Sequence, residues 1–144
     1  MTALRTGIVG ALLLAALVLL PPLPGTAGDT ERDRAVAAAA GFLASLDAKT
    51  PEQAWQQFTP LARIAKPQEP WQNLNRALRS AYGPLETRTV RDFALKNRYP
   101  TLPDGRYAIV QFDTTFAAKH GAIETVILVL ADEGRWLVHD YIIN

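Results

Sequence analysis

Apolar and polar positions alternate along the last third of the chain. Ala108, Val110, Phe112, Thr114 and Phe116 fall on one side of an extended backbone, and Gln111, Asp113 and Thr115 on the other. A period of two marks a half-buried antiparallel strand over residues 107–117. Residues 123–131 differ, because 126–130 are apolar at every position. That run predicts a strand with a neighbour on each side and cover on both faces. A third strand over 136–143 alternates again, with Trp136, Val138 and Ile142 on one face and Leu137, Tyr141 and Ile143 on the other. Lys119-His120-Gly121 and Asp132-Glu133-Gly134 separate the runs and read as hairpin turns, so the strands form an antiparallel meander.

Upstream the period becomes helical. Asp29 and Thr30 are placed to cap a helix carrying Val36, Ala39, Ala40, Leu43 and Leu46 inward. Thr50-Pro51-Glu52-Gln53 reads as an N-cap, a first-turn proline and a capping-box glutamine. This second helix turns Trp55 and Phe58 inward and ends at Pro60, with one further turn over 61–65. In the third helix Trp71, Leu74, Leu78, Ala81, Tyr82 and Leu85 form an apolar stripe, opposite Gln72, Asn73, Asn75, Arg76, Arg79 and Ser80. Gly83-Pro84 stops it. Residues 86–96 alternate weakly and predict a first, partly exposed strand, followed by a loop over 98–105. Three helices and then four strands predict an α+β fold, with the N-terminal helices packed on one face of a curved four-stranded antiparallel meander sheet.

The first 27 residues carry a different signal. Arg5 precedes an unbroken apolar run over 7–20, and prolines 21, 22 and 24 and the small residues Gly25-Thr26-Ala27 follow. A run this short, against the roughly 20 residues that a membrane span requires, predicts an export signal. Cleavage leaves one α+β domain over 28–144, periplasmic or secreted, with no membrane span; the alternative is a retained anchor. The chain has no cysteine, which removes disulfides, a lipid-bearing cysteine and sulfur-ligated metals. Formal net charge is +1, and Arg5 lies in the signal, so the remaining segment is balanced. That balance argues against a nucleic-acid partner.

A set of spaced residues resembles the domain of unknown function 4019 family along nearly the whole segment after the signal. They are Trp71, Gly83, Arg88, Leu102-Pro103-Asp104-Gly105 with Tyr107, the alternation from Val110 to Phe116, Glu124-Thr125-Val126, and Trp136, Val138 and Tyr141. The resemblance implies a small exported bacterial protein with a cystatin-like or nuclear-transport-factor-2-like fold, and it brings no known activity. One departure is Asp140, preceded by His139, where the family leads one to expect glycine before the final tyrosine.

The chemical candidates are sparse. His139 and Asp140 are the sharpest, but adjacent strand residues face opposite ways unless a bulge intervenes. Asp113 and Glu124 on neighbouring strands complete the candidate acid–base set. Arg79, Arg88 and Arg91 belong to a cationic middle stretch that suits an anionic partner or a solvated face. Arg88 can instead pair with Glu124 across the sheet. Two histidines and no cysteine leave no metal set. No phosphate loop, nucleophile elbow or dinucleotide fingerprint is present, so no cofactor is implied. The chain therefore reads as a non-enzymatic binding or interaction module for an envelope protein or small ligand, with a homo-oligomer as a further option. The alternative is a small hydrolase- or isomerase-type enzyme with a carboxylate/His pocket in the sheet.

Overall fold

The computed structural model describes residues 27–144, with side chains from Thr30 onward. Residues 1–26, and with them nearly all of the expected export signal, lie outside the described residues. Four helices precede four strands: α1 (Ala27–Asp47), α2 (Pro51–Gln56), α3 (Pro60–Ala65), α4 (Gln68–Tyr82), β1 (Leu85–Lys96), β2 (Tyr107–Phe116), β3 (Lys119–Leu130) and β4 (Trp136–Ile143). The strands form one open antiparallel sheet in the order β1-β2-β3-β4. The fold is α+β, as the succession of periods predicts. Among the described residues no helix is long and apolar enough to cross a membrane.

The core lies between the helices and one face of the sheet. From α1 it takes Ala35, Ala39, Phe42, Leu43 and Leu46, and from the sheet Val110, Phe112, Val126, Leu128, Trp136 and Val138. Ala35 and Ala39 are small enough to let α1 lie close. Phe42, outside the predicted stripe, is fully buried, whereas Ala40 is exposed. Phe42 is the centre of an aromatic group, with ring centroids 5.5 Å from Phe58, 6.3 Å from Trp71 and 5.5 Å from Tyr141. Phe58 meets Trp71 edge-on at 5.0 Å.

Several local expectations are corrected. Asp29 and Thr30 lie inside α1, which already includes Ala27. Thr50 does not cap α2 with its hydroxyl; that group donates to the Ser45 carbonyl and closes α1 instead. Pro60 begins α3, and the Thr59 hydroxyl caps it by accepting from the Ala62 N–H. The residues between α2 and α3 are drawn out because Phe58 bridges Val138, with Thr59 N–H donating to Val138 O and Val138 N–H to Gln57 O. The β2–β3 turn falls at Ala117-Ala118, and Lys119-His120-Gly121 opens β3. Donation from Ala117 N–H to Pro84 O and from Ala118 N–H to Tyr82 O fixes the turn to the end of α4. Gly83 serves that junction, with φ +75 and room of only 3.3 Å between a Cβ there and Ala117.

Two faces are rotated relative to the sequence pattern. On α4 the buried residues are Gln72, Asn75 and Arg79, whereas Leu74 and Ala81 are exposed and Leu85 starts β1. On β4 the register runs Leu128↔Val138 and then Ile127↔Asp140. His139 is thus an extra residue, a bulge that inverts the alternation after it. Tyr141 joins Trp136 and Val138 on the inner face, and Ile142 becomes exposed. The helices cover β3 on one face; on the other Ile127 is buried while Ile123, Thr125 and Val129 are half-buried, so the two-sided cover expected holds only at the middle of the strand.

Candidate functional site

The bulge delivers Tyr141 to a buried polar cluster at the end of the core nearest Asp47. Its centre is Glu124, which the β3 alternation turns inward with Ala122 and Val126 and which is 0 % exposed. Oε1 accepts from Arg79 Nη2 at 2.8 Å and from the Tyr141 hydroxyl at 2.7 Å. Oε2 accepts from Arg88 Nε and from the Thr114 hydroxyl, both at 2.8 Å. Arg88 reaches on to Asp47 at the C-terminus of α1, with Nη2 3.2 Å from Oδ1. Arg79 Nε lies 3.3 Å from the same oxygen, near enough for an ion pair but without a hydrogen bond's alignment. The Arg79 guanidinium also stands 5.0 Å from the Phe116 ring centroid and 5.8 Å from that of Tyr141.

Two carboxylates face two guanidiniums, so the cluster is neutral overall. Burial pushes the Glu124 carboxyl up; Arg79 and Arg88, with the Tyr141 and Thr114 hydroxyls, outweigh it and hold the group below the ordinary carboxylate range. Burial and the neighbouring Glu124 charge push the Tyr141 hydroxyl well above the usual phenol range. Burial works against the Arg88 charge, and Asp47 and Glu124 more than restore it. Glu124 is consequently an ionised acceptor with four donors seated on it, which fixes the ends of α1 and α4 to the sheet.

The remaining candidates sit apart. Asp113 is exposed and pairs with Arg91 Nη1 at 2.8 Å. Asp140 pairs with Lys66 at 3.0 Å, and its Oδ1 accepts from the Tyr141 N–H at 2.9 Å, so a carboxylate takes up a backbone donor at the bulge. His139 Nδ1 lies 3.5 Å from the Thr59 hydroxyl, and its ring faces Tyr99 at 6.4 Å. Burial first, and then Lys66, lowers the His139 pKa against the opposing effect of Asp140. His139 opens on a cleft of about 290 Å³ shared with Leu61, Leu102, Tyr107 and Asp132. A larger cleft, about 570 Å³, lies between α3 and the β3–β4 hairpin and is lined in part by Phe58, Arg63, Leu130, Arg135 and Leu137.

The structure therefore brings Glu124 together with Arg79 and Arg88, and keeps Asp113, Asp140 and Arg91 away from them. The Arg88–Glu124 pairing across the sheet is present. Arg79, placed by its helix pattern on a solvated face, is buried instead. Asp47, Thr114 and Tyr141 are cluster members that the pattern did not single out. Thr114 shares the inward alternation of β2, and that alternation is the one signal that could have found it. Among the described residues no three His, Asp or Glu side chains are grouped to hold a metal.

No curated protein and no solved structure matches the chain. Residues 38–141, which span α1 through β4 and include every cluster member, match a family described as "Protein of unknown function (DUF4019)", and the chain belongs to that family.

Proposed function

We propose that the chain is an exported, non-enzymatic binding module of the cell envelope, periplasmic or secreted, whose ligand or partner engages the rim of the sheet beside the β3–β4 hairpin. The observation that carries the reading is the saturation of Glu124. A general acid or base needs a proton to exchange and a free lone pair toward substrate. Glu124 is held ionised and all four of its hydrogen bonds go to the protein itself. Support for binding comes from the cleft of about 570 Å³, a size ordinary for small-ligand sites. Phe58, Leu130 and Leu137 give it apolar walls, and Arg63 and Arg135 with Asp132 and Glu133 give it charged ones of both signs. Support for export is the charge, apolar run and small residues of the first 27 positions.

The test has three arms. The full-length chain, tagged at its C-terminus and fractionated, is expected in the envelope or medium; accumulation in the cytosol with an intact N-terminus sinks the export part. Native mass spectrometry of protein purified from that fraction is expected to show a retained small molecule or partner, lost in Leu137→Asp while the melting temperature holds. Turnover of ester or phosphoester substrates that disappears in His139→Asn, with folding unchanged, overturns the non-enzymatic part.

A further inference from the structure

β4 is an end strand of the sheet, and part of its free edge is already used. At Val138 the extended residues 57–59 lie beside it in parallel, with Val138 N–H donating to Gln57 O and Thr59 N–H to Val138 O, each at 2.8 Å. The chain then leaves the edge, because Pro60 starts α3. Past the His139 bulge no described residue bridges to the side of β4 that faces away from β3.

The ladder fixes which backbone groups remain there. Asn144 exchanges both hydrogen bonds with Ile123, at 3.1 and 3.2 Å. In an antiparallel pair such residues alternate with ones whose N–H and C=O point the other way. Ile142 therefore bonds to Thr125, and Tyr141 and Ile143 turn their backbone groups away from β3. One of those groups is satisfied: the Tyr141 N–H donates to Asp140 Oδ1 at 2.9 Å, and Lys66 holds that carboxylate at 3.0 Å. The Tyr141 carbonyl and the Ile143 N–H and carbonyl have no partner among the described groups.

Three groups so spaced fit a parallel strand. Its residue opposite Ile142 donates to Tyr141 O and accepts from Ile143 N–H, and the residue two places on donates to Ile143 O. An antiparallel strand also needs the Tyr141 N–H, which Asp140 occupies. Identical edges related by a two-fold axis pair antiparallel, so a second copy of β4 fits the site less well than a separate chain. Beside the edge runs a groove of about 330 Å³ between α4 and β4, walled by Trp71, Leu74, Leu78, Ile142 and Ile143. Leu74 is 57 % exposed and Ile142 43 %. Lys66 is the charged residue of its wall and is neutralised by Asp140. In a strand laid opposite Ile142, the residues on either side of the central one turn toward the helix-covered face, where this groove lies.

We propose that the β4 edge at 141–143 takes an extended, uncharged peptide segment of a partner protein as a fifth strand, parallel to β4, with alternate apolar side chains in the α4–β4 groove. Main-chain hydrogen bonds give such a site its affinity and the groove its selectivity. A compact ligand fills the groove but leaves the three backbone groups unpaired. The site lies at the other end of β4 from the cleft beside the β3–β4 hairpin, and it stands whether or not that cleft is occupied.

The probes are three capped, fluorescein-labelled peptides, Ser-Thr-X-Thr-X-Thr-Ser, with X leucine, valine or phenylalanine. They are titrated into the full-length chain and followed by anisotropy. At least one is expected to bind saturably with Kd below about 100 μM. N-methylation of its threonines, whose N–H groups face β4, is expected to weaken binding at least fivefold, as loss of a hydrogen bond does. N-methylation of its X residues, whose N–H groups face away, is expected to leave binding within about twofold. Leu74→Asp, on the exposed wall, is expected to weaken binding about tenfold with the melting temperature unchanged. Ile143→Pro, which removes an edge donor where proline is tolerated, is expected to act likewise. The Ile143 amide of the parent is expected to exchange with solvent at least tenfold more slowly when the peptide is bound. Failure of all three peptides to bind overturns the proposal. So does binding that ignores threonine N-methylation or Leu74→Asp. Protection of the Ile143 amide that rises with protein concentration in the absence of peptide also overturns it, and identifies a second copy as the occupant.

Discussion

The inner layer of this protein is solved in two different ways at two places, and Tyr141 belongs to both. Around Phe42 the layer is aromatic, with Phe58, Trp71 and the Tyr141 ring in edge-on or tilted contact. Around Glu124 it is ionic, with Arg79, Arg88, Asp47, Thr114 and the Tyr141 hydroxyl in hydrogen-bond or ion-pair range. Apolar packing stabilises through area and contact number, tolerates exchange of shape, and is indifferent to pH. A buried ionic cluster has a desolvation cost offset only while every partner is present, so it is intolerant of single changes and titrates. The ionic region acts as a positional clamp on the ends of α1 and α4, and the aromatic region supplies the driving force for folding.

The largest effect should follow from breaking the clamp at its centre. Glu124→Gln removes the charge between two guanidiniums with little change of volume and is expected to cost about 3–5 kcal/mol of unfolding free energy. Urea denaturation followed by tryptophan fluorescence measures it; a loss under about 1 kcal/mol would show that the cluster is not a clamp. The same group sets an acid limb. Because the Glu124 carboxyl titrates lower in the folded chain than its ordinary 4.5, its stabilisation is complete above that value and is lost as pH falls through the lower folded-state value. A stability–pH profile of the parent should therefore fall below about pH 4.5. In Glu124→Gln the fall should be shallower, because Glu31 and Glu133, also lowered, remain.

The aromatic region should respond more gently to reshaping. Phe42→Leu is expected to cost about 1–1.5 kcal/mol, with a profile parallel to the parent at every pH. Tyr141→Phe isolates the shared residue: the ring stays on Phe42 while Glu124 loses one donor. A cost of about 1–2 kcal/mol is expected, together with an acid transition moved to higher pH, since a hydrogen bond that favours the ionised carboxylate is gone. If Tyr141→Phe shifts stability without moving the acid transition, its hydroxyl is not coupled to Glu124.

The same division explains what could be read in advance. The strands, their antiparallel order and the helical N-terminal half follow from hydrophobic periods, because the aromatic and aliphatic region obeys the rule that produces such periods. The ionic region violates it. Gln72, Asn75 and Arg79 share one face of α4 at helical spacing, but the spacing of polar residues is silent on whether their face is wet or buried; Trp71 of the apolar stripe does pack on the core, whereas Leu74 extends the stripe onto an exposed side. Even alternation sets Tyr141 on the face opposite Trp136 and Val138, and the His139 bulge adds one residue that brings it to theirs. Nothing in His139-Asp140 fixes that bulge; it becomes visible only in the register, where Leu128 pairs with Val138 and Ile127 with Asp140. Arg88 with Glu124 was legible as a cross-sheet pairing of opposite charges, whereas Asp47 joins them through the approach of α1, a contact with no sequence period.

The smallest effect gives the cleanest control on the comparison. Arg91 and Asp113 form an ion pair at the same 2.8 Å as Arg79 and Glu124, and the difference lies in the surroundings: side chains 49 % and 55 % exposed against 4 % and 0 %. In water the charges are solvated whether or not they meet, so Asp113→Asn is expected to cost only about 0.2–1 kcal/mol. That small loss should shrink further in 1 M salt, where the screening length is about 3 Å. Glu124→Gln, measured in the same two salts, should keep most of its cost, because screening ions do not enter the core. Equal costs for the two substitutions, or equal salt dependence, would mean that distance rather than burial governs the pairs.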